Sequence, residues 1–307
     1  MIPVAFEYFV PHSVEEAITR LAGCEPGAAA ILAGGMSLLP TMKLRIAMPA
    51  MLVDIGRLRE LAGISHASGR LCIGALTSHA ELLSAPELVD FPVFAETACV
   101  LGDPQVRNRG TFGGSLVQAH PAADWPAVFL ALRGEAHLRG PRGERSVRSE
   151  DFFTGMLTTA VAEGEVLTRI SFPVKGERSG AAYSKMRQQA SGMALAGVAA
   201  QVTLDEAGHI EETTVAVTGI NGVPFRAGSI EQHLRGAPPL PSALQELCAD
   251  VPEADPVSDP HADAEYRRQL LSVHAARALA RALSRAQSAA TARVHWNGRG
   301  KPDAGRD

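Results

Sequence analysis

Four cysteines are all that this chain of 307 residues contains, and Cys24, Cys72, Cys99 and Cys248 stand too far apart for C-x-x-C or any similar ligand spacing. An iron–sulfur or zinc site built by this chain alone is not expected on that pattern, and the four read as ordinary half-buried thiols of a reducing compartment. Aromatic residues make up 5% of the chain, too few to interleave with basic residues as a nucleic-acid stacking surface does. Neither sign of charge dominates: 29 Lys and Arg against 33 Asp and Glu leave −4 at neutral pH. No general field exists to gather nucleic acid or an anionic membrane surface. No apolar run approaches the roughly 20 residues that cross a bilayer, so no integral membrane segment is expected. The opening Met1-Ile2-Pro3-Val4-Ala5-Phe6-Glu7 lacks the basic region of a secretory signal, and a cytoplasmic location is the expectation. The His-Glu-x-x-His, Gly-x-x-x-x-Gly-Lys-Ser/Thr and Gly-x-Gly-x-x-Gly patterns are all missing, which removes the zincin, P-loop and Rossmann readings. The histidines, for example His79, His120 and His261, fall in no ligand spacing and are expected at the surface or at caps.

What the chain has is 46% hydrophobic residues, enough to bury real cores, and 29 glycines, several of them paired. At this length two or three compact units are expected. Ser13-Val14-Glu15-Glu16 is a capping box opening a helix to residue 22. Short buried strands are predicted at residues 29–33, 51–55 and 71–75, with helices over 37–45, 78–83, 93–101 and 125–132. This alternation points to α/β, or to α+β with small sheets. The text turns polar and glycine-rich between residues 173 and 184, a plausible boundary, and β-rich segments follow at 194–204 and 213–220. Residues 236–260 read as a connection with one short helix near 242–249. Helical periodicity then runs from 264 to 286, and the tail from 288 to 307 is expected to be disordered.

The strongest local signals are Ala33-Gly34-Gly35-Met36-Ser37 and Thr111-Phe112-Gly113-Gly114-Ser115. Paired glycines let successive N–H groups turn inward as an anion nest, and a serine hydroxyl with a following helix start adds to it. Two such loops suit a ligand with separated polar zones, such as a dinucleotide. Each taken alone is also what a tight strand-to-helix turn looks like.

The longer context resembles a known family. Leu32-Ala33-Gly34-Gly35-Met36-Ser37-Leu38-Leu39-Pro40-Thr41-Met42-Lys43-Leu44-Arg45 resembles the diphosphate loop of the FAD-binding subunits of molybdenum hydroxylases. So does Asp103-Pro104-Gln105-Val106-Arg107-Asn108-Arg109-Gly110-Thr111-Phe112-Gly113-Gly114-Ser115-Leu116, with Pro121-Ala122-Ala123-Asp124-Trp125 beyond it. Ile73-Gly74-Ala75-Leu76-Thr77-Ser78-His79 lies between the loops, and Val217-Thr218-Gly219-Ile220 and Ala264-Glu265-Tyr266-Arg267-Arg268 resemble C-terminal signatures. The family includes the medium subunit of aerobic carbon monoxide dehydrogenase and the flavin domain of xanthine dehydrogenase.

The resemblance implies an α+β protein: a vanillyl-alcohol-oxidase-type FAD-binding fold of two small α/β subdomains (1–56 and 57–176) and a C-terminal α+β flavoprotein domain (177–287). It implies that residues from Leu32 to Leu38 (Leu32, Ala33, Gly34, Gly35, Met36, Ser37, Leu38) and Thr111, Phe112, Gly113, Gly114 and Ser115 embrace the FAD diphosphate. Thr77 would line the cofactor, Asp124 would accept from its hydroxyls or fix the loop, and Lys185 would stand near the flavin ring. Asp124 reads equally as the N-cap of the helix at Trp125. Met36 replaces a histidine common in relatives, and Met193 stands where the carbon monoxide dehydrogenase subunit has a tyrosine. The implied partners are a small subunit with 2Fe-2S clusters and a large subunit with molybdopterin, in a dimer of heterotrimers, with hydroxylation on the large subunit. No residue of this chain is assigned as acid, base or nucleophile. The competing readings are a stand-alone FAD-dependent oxidase or dehydrogenase of the same superfamily, and a regulatory protein that has lost the cofactor.

Overall fold

The computed structural model describes residues 2–238 and 244–297. Its first unit is a parallel three-stranded sheet, order β1-β3-β2, from β1 (Glu7–Phe9), β2 (Ala29–Leu32) and β3 (Met51–Asp54). Helix α1 (Val14–Ala22) starts where the capping box predicts: the Ser13 hydroxyl accepts the Glu16 N–H, and the Glu16 carboxylate accepts the His12 N–H. Its Val14, Ala17, Ile18 and Leu21 fall on one face and bury against Met51 and Val53. Helix α2 (Leu38–Lys43) leaves the sheet through the first glycine loop. Leu58 and Leu61, beyond the residue-56 boundary read from sequence, pack into this same core.

A second, antiparallel sheet has the order β4-β5-β10-β6-β7. It is built from β4 (Ile64–Ala67), β5 (Arg70–Gly74), β6 (Glu135–Gly140), β7 (Gly143–Arg148) and β10 (Val166–Pro173), with the small hairpin β8 (Phe153–Gly155) and β9 (Thr158–Thr159) beside it. Between β5 and β6 run α3 (His79–Ser84), α4 (Pro92–Val100), α5 (Pro104–Arg109), α6 (Phe112–Gln118) and α7 (Trp125–Ala131), with α8 (Ser149–Phe152) after β7. The few aromatic residues are concentrated here. Phe112 meets Trp125 edge-on at 5.0 Å, Phe94 meets Phe172 at 5.3 Å and Phe129 meets Phe152 at 5.4 Å. Such buried edge-to-face pairs add to what area alone contributes.

The third unit is an antiparallel meander of β11 (Ser179–Arg187), β12 (Ala194–Leu204), β13 (Ile210–Thr218) and β14 (Phe225–Arg226). Helices α9 (Gly228–Leu234), α10 (Leu244–Leu247) and α11 (Ala264–Asn297) accompany it. Of the short helix read at 242–249, Ser242 and Ala243 lie outside the described residues. Helix α11 runs through Gln287 to Asn297, so residues 288–297 are helical where sequence reading expects disorder. The reason is intrinsic propensity: Ala289, Ala290 and Ala292 favour helix without an apolar stripe. Residues 298–307 lie outside the described residues.

The second and third units are joined through Glu96 on α4. Its carboxylate accepts the Tyr183 N–H at 3.0 Å and pairs with both Arg281 and Arg285 of α11. Deeper in, His274 of α11 is 4% exposed and shares a hydrogen bond of 2.9 Å with the Ser184 hydroxyl.

Burial holds the His274 imidazole down at about 4, below the usual 6.5. Unfolding frees it to bind a proton, so this contribution is complete above pH 6.5 and is lost as pH falls through about 4. Thermal midpoints measured across that window should fall with pH, and His274→Asn should flatten the fall. An identical pH slope in the variant would refute the assignment.

Candidate cofactor cleft

A cleft of about 420 Å³ opens where the three units meet. One part of its wall is apolar, from Ile31, Ile55, Leu76, Val166 and Leu167 of the first two units. Another part is polar, with Gln118, His120, Asp124 and Ser191, and the last of these comes from the β11–β12 turn of the third unit. Both glycine loops line it. They touch each other directly: a Cβ placed on Gly34 would stand 2.1 Å from the Arg109 carbonyl oxygen, so only glycine permits this contact.

The two loops differ in what they leave free. In the first, Gly35 takes φ +74°, and among the described residues the N–H groups of Gly34, Gly35, Met36, Ser37 and Leu38 have no acceptor. Five consecutive unspent amides ahead of a helix make a concave donor surface for an anion. In the second loop the corresponding amides are spent within the protein. Phe112 N–H goes to the Thr77 carbonyl and Gly113 N–H to the Ala75 carbonyl, both at 2.9 Å. Gly114 N–H goes to the Thr111 hydroxyl and Ser115 N–H to the Thr111 carbonyl. The second loop is therefore a fixed wall, offering the Ser115 side chain and close backbone approach.

Asp124 lies at the head of α7 but does not cap it. Its carboxylate turns instead to the third unit, accepting from the Tyr183 hydroxyl at 2.5 Å and pairing with Lys185 Nζ at 2.8 Å. The Lys185 ammonium also donates to the Gly192 carbonyl at 2.7 Å, holding the β11–β12 turn over the cleft. The two charged side chains are 2% and 4% exposed. Burial pushes the Asp124 carboxyl up, while the Lys185 ammonium and Tyr183 hydroxyl pull it back. Burial and the neighbouring Asp124 push the Tyr183 phenol well above 10, so it stays protonated and donates.

Of the residues singled out in the sequence, Ala33 to Leu38, Thr111, Gly113, Gly114, Ser115, Asp124 and Met193 line the cleft. Leu32, Thr77, Phe112 and Lys185 do not. Leu32 closes strand β2, and Phe112 is fully buried in the aromatic core. The Thr77 hydroxyl is buried and bonds Gly63 through both its N–H and its carbonyl. Lys185 is spent on Asp124 and Gly192. The reading of His79 as a surface or capping residue is corrected: it is 4% exposed and forms part of the wall, as does the half-buried His120. Gly102 and Gly192 also line it, brought together from distant loops that no local motif marks.

A cleft that joins one amide nest, a serine-bearing loop and an apolar wall suits a dinucleotide with a diphosphate and a ring system. Family comparison agrees. Residues 4–175 match the FAD binding domain in molybdopterin dehydrogenase, and residues 181–282 match the CO dehydrogenase flavoprotein C-terminal domain. The medium chain of carbon monoxide dehydrogenase from Hydrogenophaga pseudoflava is 37% identical over 91% of this chain and 97% of its own length. The glyceraldehyde dehydrogenase medium chain of Sulfolobus acidocaldarius is 35% identical over 89% and 96%. Among solved structures, carbon monoxide dehydrogenase from Hydrogenophaga pseudoflava superposes with a TM-score of 0.88, covering 93% of this chain and 99% of that one. Quinoline 2-oxidoreductase from Pseudomonas putida 86 gives 0.85 at 29% identity, covering 94% and 99%. The chain belongs to the FAD-binding subunits of the molybdenum hydroxylases, and it is a flavoprotein subunit of an oxidoreductase. Among the described residues no helix is long and apolar enough to cross a membrane.

Two substitutions probe this construction. Lys185→Met leaves Asp124 buried and unpaired, and is expected to cost about 3–5 kcal/mol in denaturant unfolding. Adding Asp124→Asn should recover much of that loss, whereas simple additivity would show that the two side chains are not a coupled pair. Gly34→Ala forces the two loops apart, and should lower stability by about 1–3 kcal/mol. An unchanged unfolding midpoint would refute the close contact.

Proposed function

We propose that this chain is the FAD-carrying electron-transfer subunit of a heteromeric molybdenum hydroxylase. It takes electrons from the 2Fe-2S clusters of a small partner subunit and passes them to an external acceptor, while a large molybdopterin subunit hydroxylates the substrate. The assembly is a dimer of heterotrimers. The observation that carries the reading is the run of five unspent amides from Gly34 to Leu38, opening on a cleft of dinucleotide form. Relatives named as medium chains or subunits of dehydrogenases support the assignment to a larger complex.

FAD, when bound, supplies the two-electron chemistry and exchanges electrons singly or in pairs. The residues of the chain bind and orient it. The Gly34–Leu38 amides hold the diphosphate, with Ser115 facing them across the cleft. Asp124 accepts from cofactor hydroxyls or fixes the second loop, and Lys185 acts through Asp124 and Gly192 rather than by touching the cofactor. Met36 and Met193, each 38% exposed on the wall, pack against the cofactor without donating a hydrogen bond. Residues 1–56 and 57–176 act as the two FAD-holding subdomains, and 177–287 closes the third side.

The test is to purify the full chain, alone and co-expressed with its partner subunits, record the visible spectrum and weigh the released cofactor. Non-covalent FAD near one per chain is expected. A folded chain that neither retains nor takes up flavin, alone or in the complex, would overturn the proposal.

A further inference from the structure

We infer that His79 is a further cofactor-binding residue, whose Nε2–H, fixed in place by Trp125, donates a hydrogen bond to a diphosphate oxygen of the dinucleotide. The inference rests on the reading of the cleft as a FAD site.

His79 is the first residue of α3, held there by a full capping box between Ser78 and Glu81. Its own N–H donates to the Gly110 carbonyl at 3.0 Å, which ties it to the chain just before the second glycine loop. The Trp125 indole N–H donates to His79 Nδ1 at 3.1 Å. An indole nitrogen only donates, so Nδ1 must carry the lone pair and the proton must sit on Nε2. Trp125 is wholly buried in the aromatic core, so the lock is itself immobilised.

Nε2 has no acceptor among the described residues. The sealed polar side-chain atoms left without a partner are Thr213 Oγ1, Arg267 Nε and His274 Nε2, and His79 Nε2 is not among them. His79 is part of the cleft wall, so this donor opens to the cleft. Burial, assisted by the Arg107 charge on α5, holds the imidazole at about 4, so it stays a neutral donor at physiological pH. Protonating Nδ1 would break the bond from Trp125, which opposes the charged form independently.

The position fits a phosphate. A Cβ on Gly110 would stand 2.7 Å from His79 Nε2, and a Cβ on Gly34 would stand 2.9 Å from Gly110 Cα. The imidazole edge thus lies one glycine away from the free amides. The second loop has spent its amides internally and offers only the Ser115 hydroxyl, and the His79 Nε2–H adds a further donor to the cleft wall.

The experiment uses the full chain labelled with 15N-histidine and titrated with FAD, ADP and riboflavin, the last lacking a phosphate. His79 Nε2, assigned by its loss in His79→Gln, should shift with FAD and with ADP and stay unmoved with riboflavin. His79→Gln should weaken FAD and ADP about tenfold, the scale of one lost hydrogen bond, and leave riboflavin unchanged. If wild-type chain binds FAD but the Nε2 signal does not respond, or riboflavin weakens equally, the inference falls while the FAD reading stands. If wild-type chain takes up neither FAD nor ADP, alone or with its partner subunits, both fall together. The wild-type signal decides the matter even where the variant folds poorly.

Discussion

The closing of the cleft depends on one buried ion pair, Asp124 with Lys185. Two charges about 4 Å apart attract by about 4 kcal/mol at the effective dielectric of a protein, and each loses several kcal/mol of hydration on burial. Taken alone the pair barely breaks even. It is stable because the remaining bonding capacity is filled: the Tyr183 hydroxyl on the carboxylate and the Gly192 carbonyl on the ammonium. What the pair contributes is therefore geometry. Four bonded groups belong to α7, to β11 and to the β11–β12 turn, so the head of a helix in the second unit, a strand in the third and the flap over the cleft are fixed as one piece. The Glu96 contacts with Arg281, Arg285 and the Tyr183 amide brace the same strand from its other side.

With that frame in place, two loops of similar sequence take different work. The first leaves its amides facing the cleft because Gly35 in the left-handed region turns the chain away from any internal acceptor. The second enters α6 directly beneath the carbonyls of Ala75 and Thr77, which claim its amides. Thr77, expected at the cofactor, does its work here and at Gly63, tying β5's exit to the loop. A chain with net charge −4 can hold a dianionic group in this way, using oriented amides rather than cations.

Much of this was legible in the sequence wherever the signal is local. The Ser13 capping box, the Trp125 helix and the glycine loops each reside in a few adjacent residues. The polar, glycine-rich text of residues 173–184 marks a boundary but hides the start of β11, because that strand opens on small side chains. Gly180 must be bare where α11 crosses it, since a Cβ there would meet the Ala282 carbonyl at 2.2 Å. The β6–β7 hairpin was passed over because only Ala136, Leu138 and Val147 of a charged stretch point inward. At the site, His79 and Gly192 lie in quoted segments, but nothing local marks what they do. Their roles come from Trp125, 46 residues away from His79, and from Lys185, which grips Gly192 only after the hairpin has formed. Lys185 is marked by the sequence, while its buried partner Asp124, 61 residues away, is supplied by the fold.

The titratable groups around the cleft share one property, which bears on what the subunit does. Tyr183 is driven up and stays protonated, while His79 and His120 are driven down by burial and stay neutral. Asp124 and Lys185 face each other as a buried pair, so their charges offset. His79 and His120, the two imidazoles on the wall, are therefore held toward the neutral form in the physiological range. A site for acid–base catalysis needs a group poised near the working pH, and burial moves these two imidazoles away from it. Such a wall suits a bound cofactor: the protonation of its imidazoles is set by burial, so the environment they offer does not vary near neutral pH.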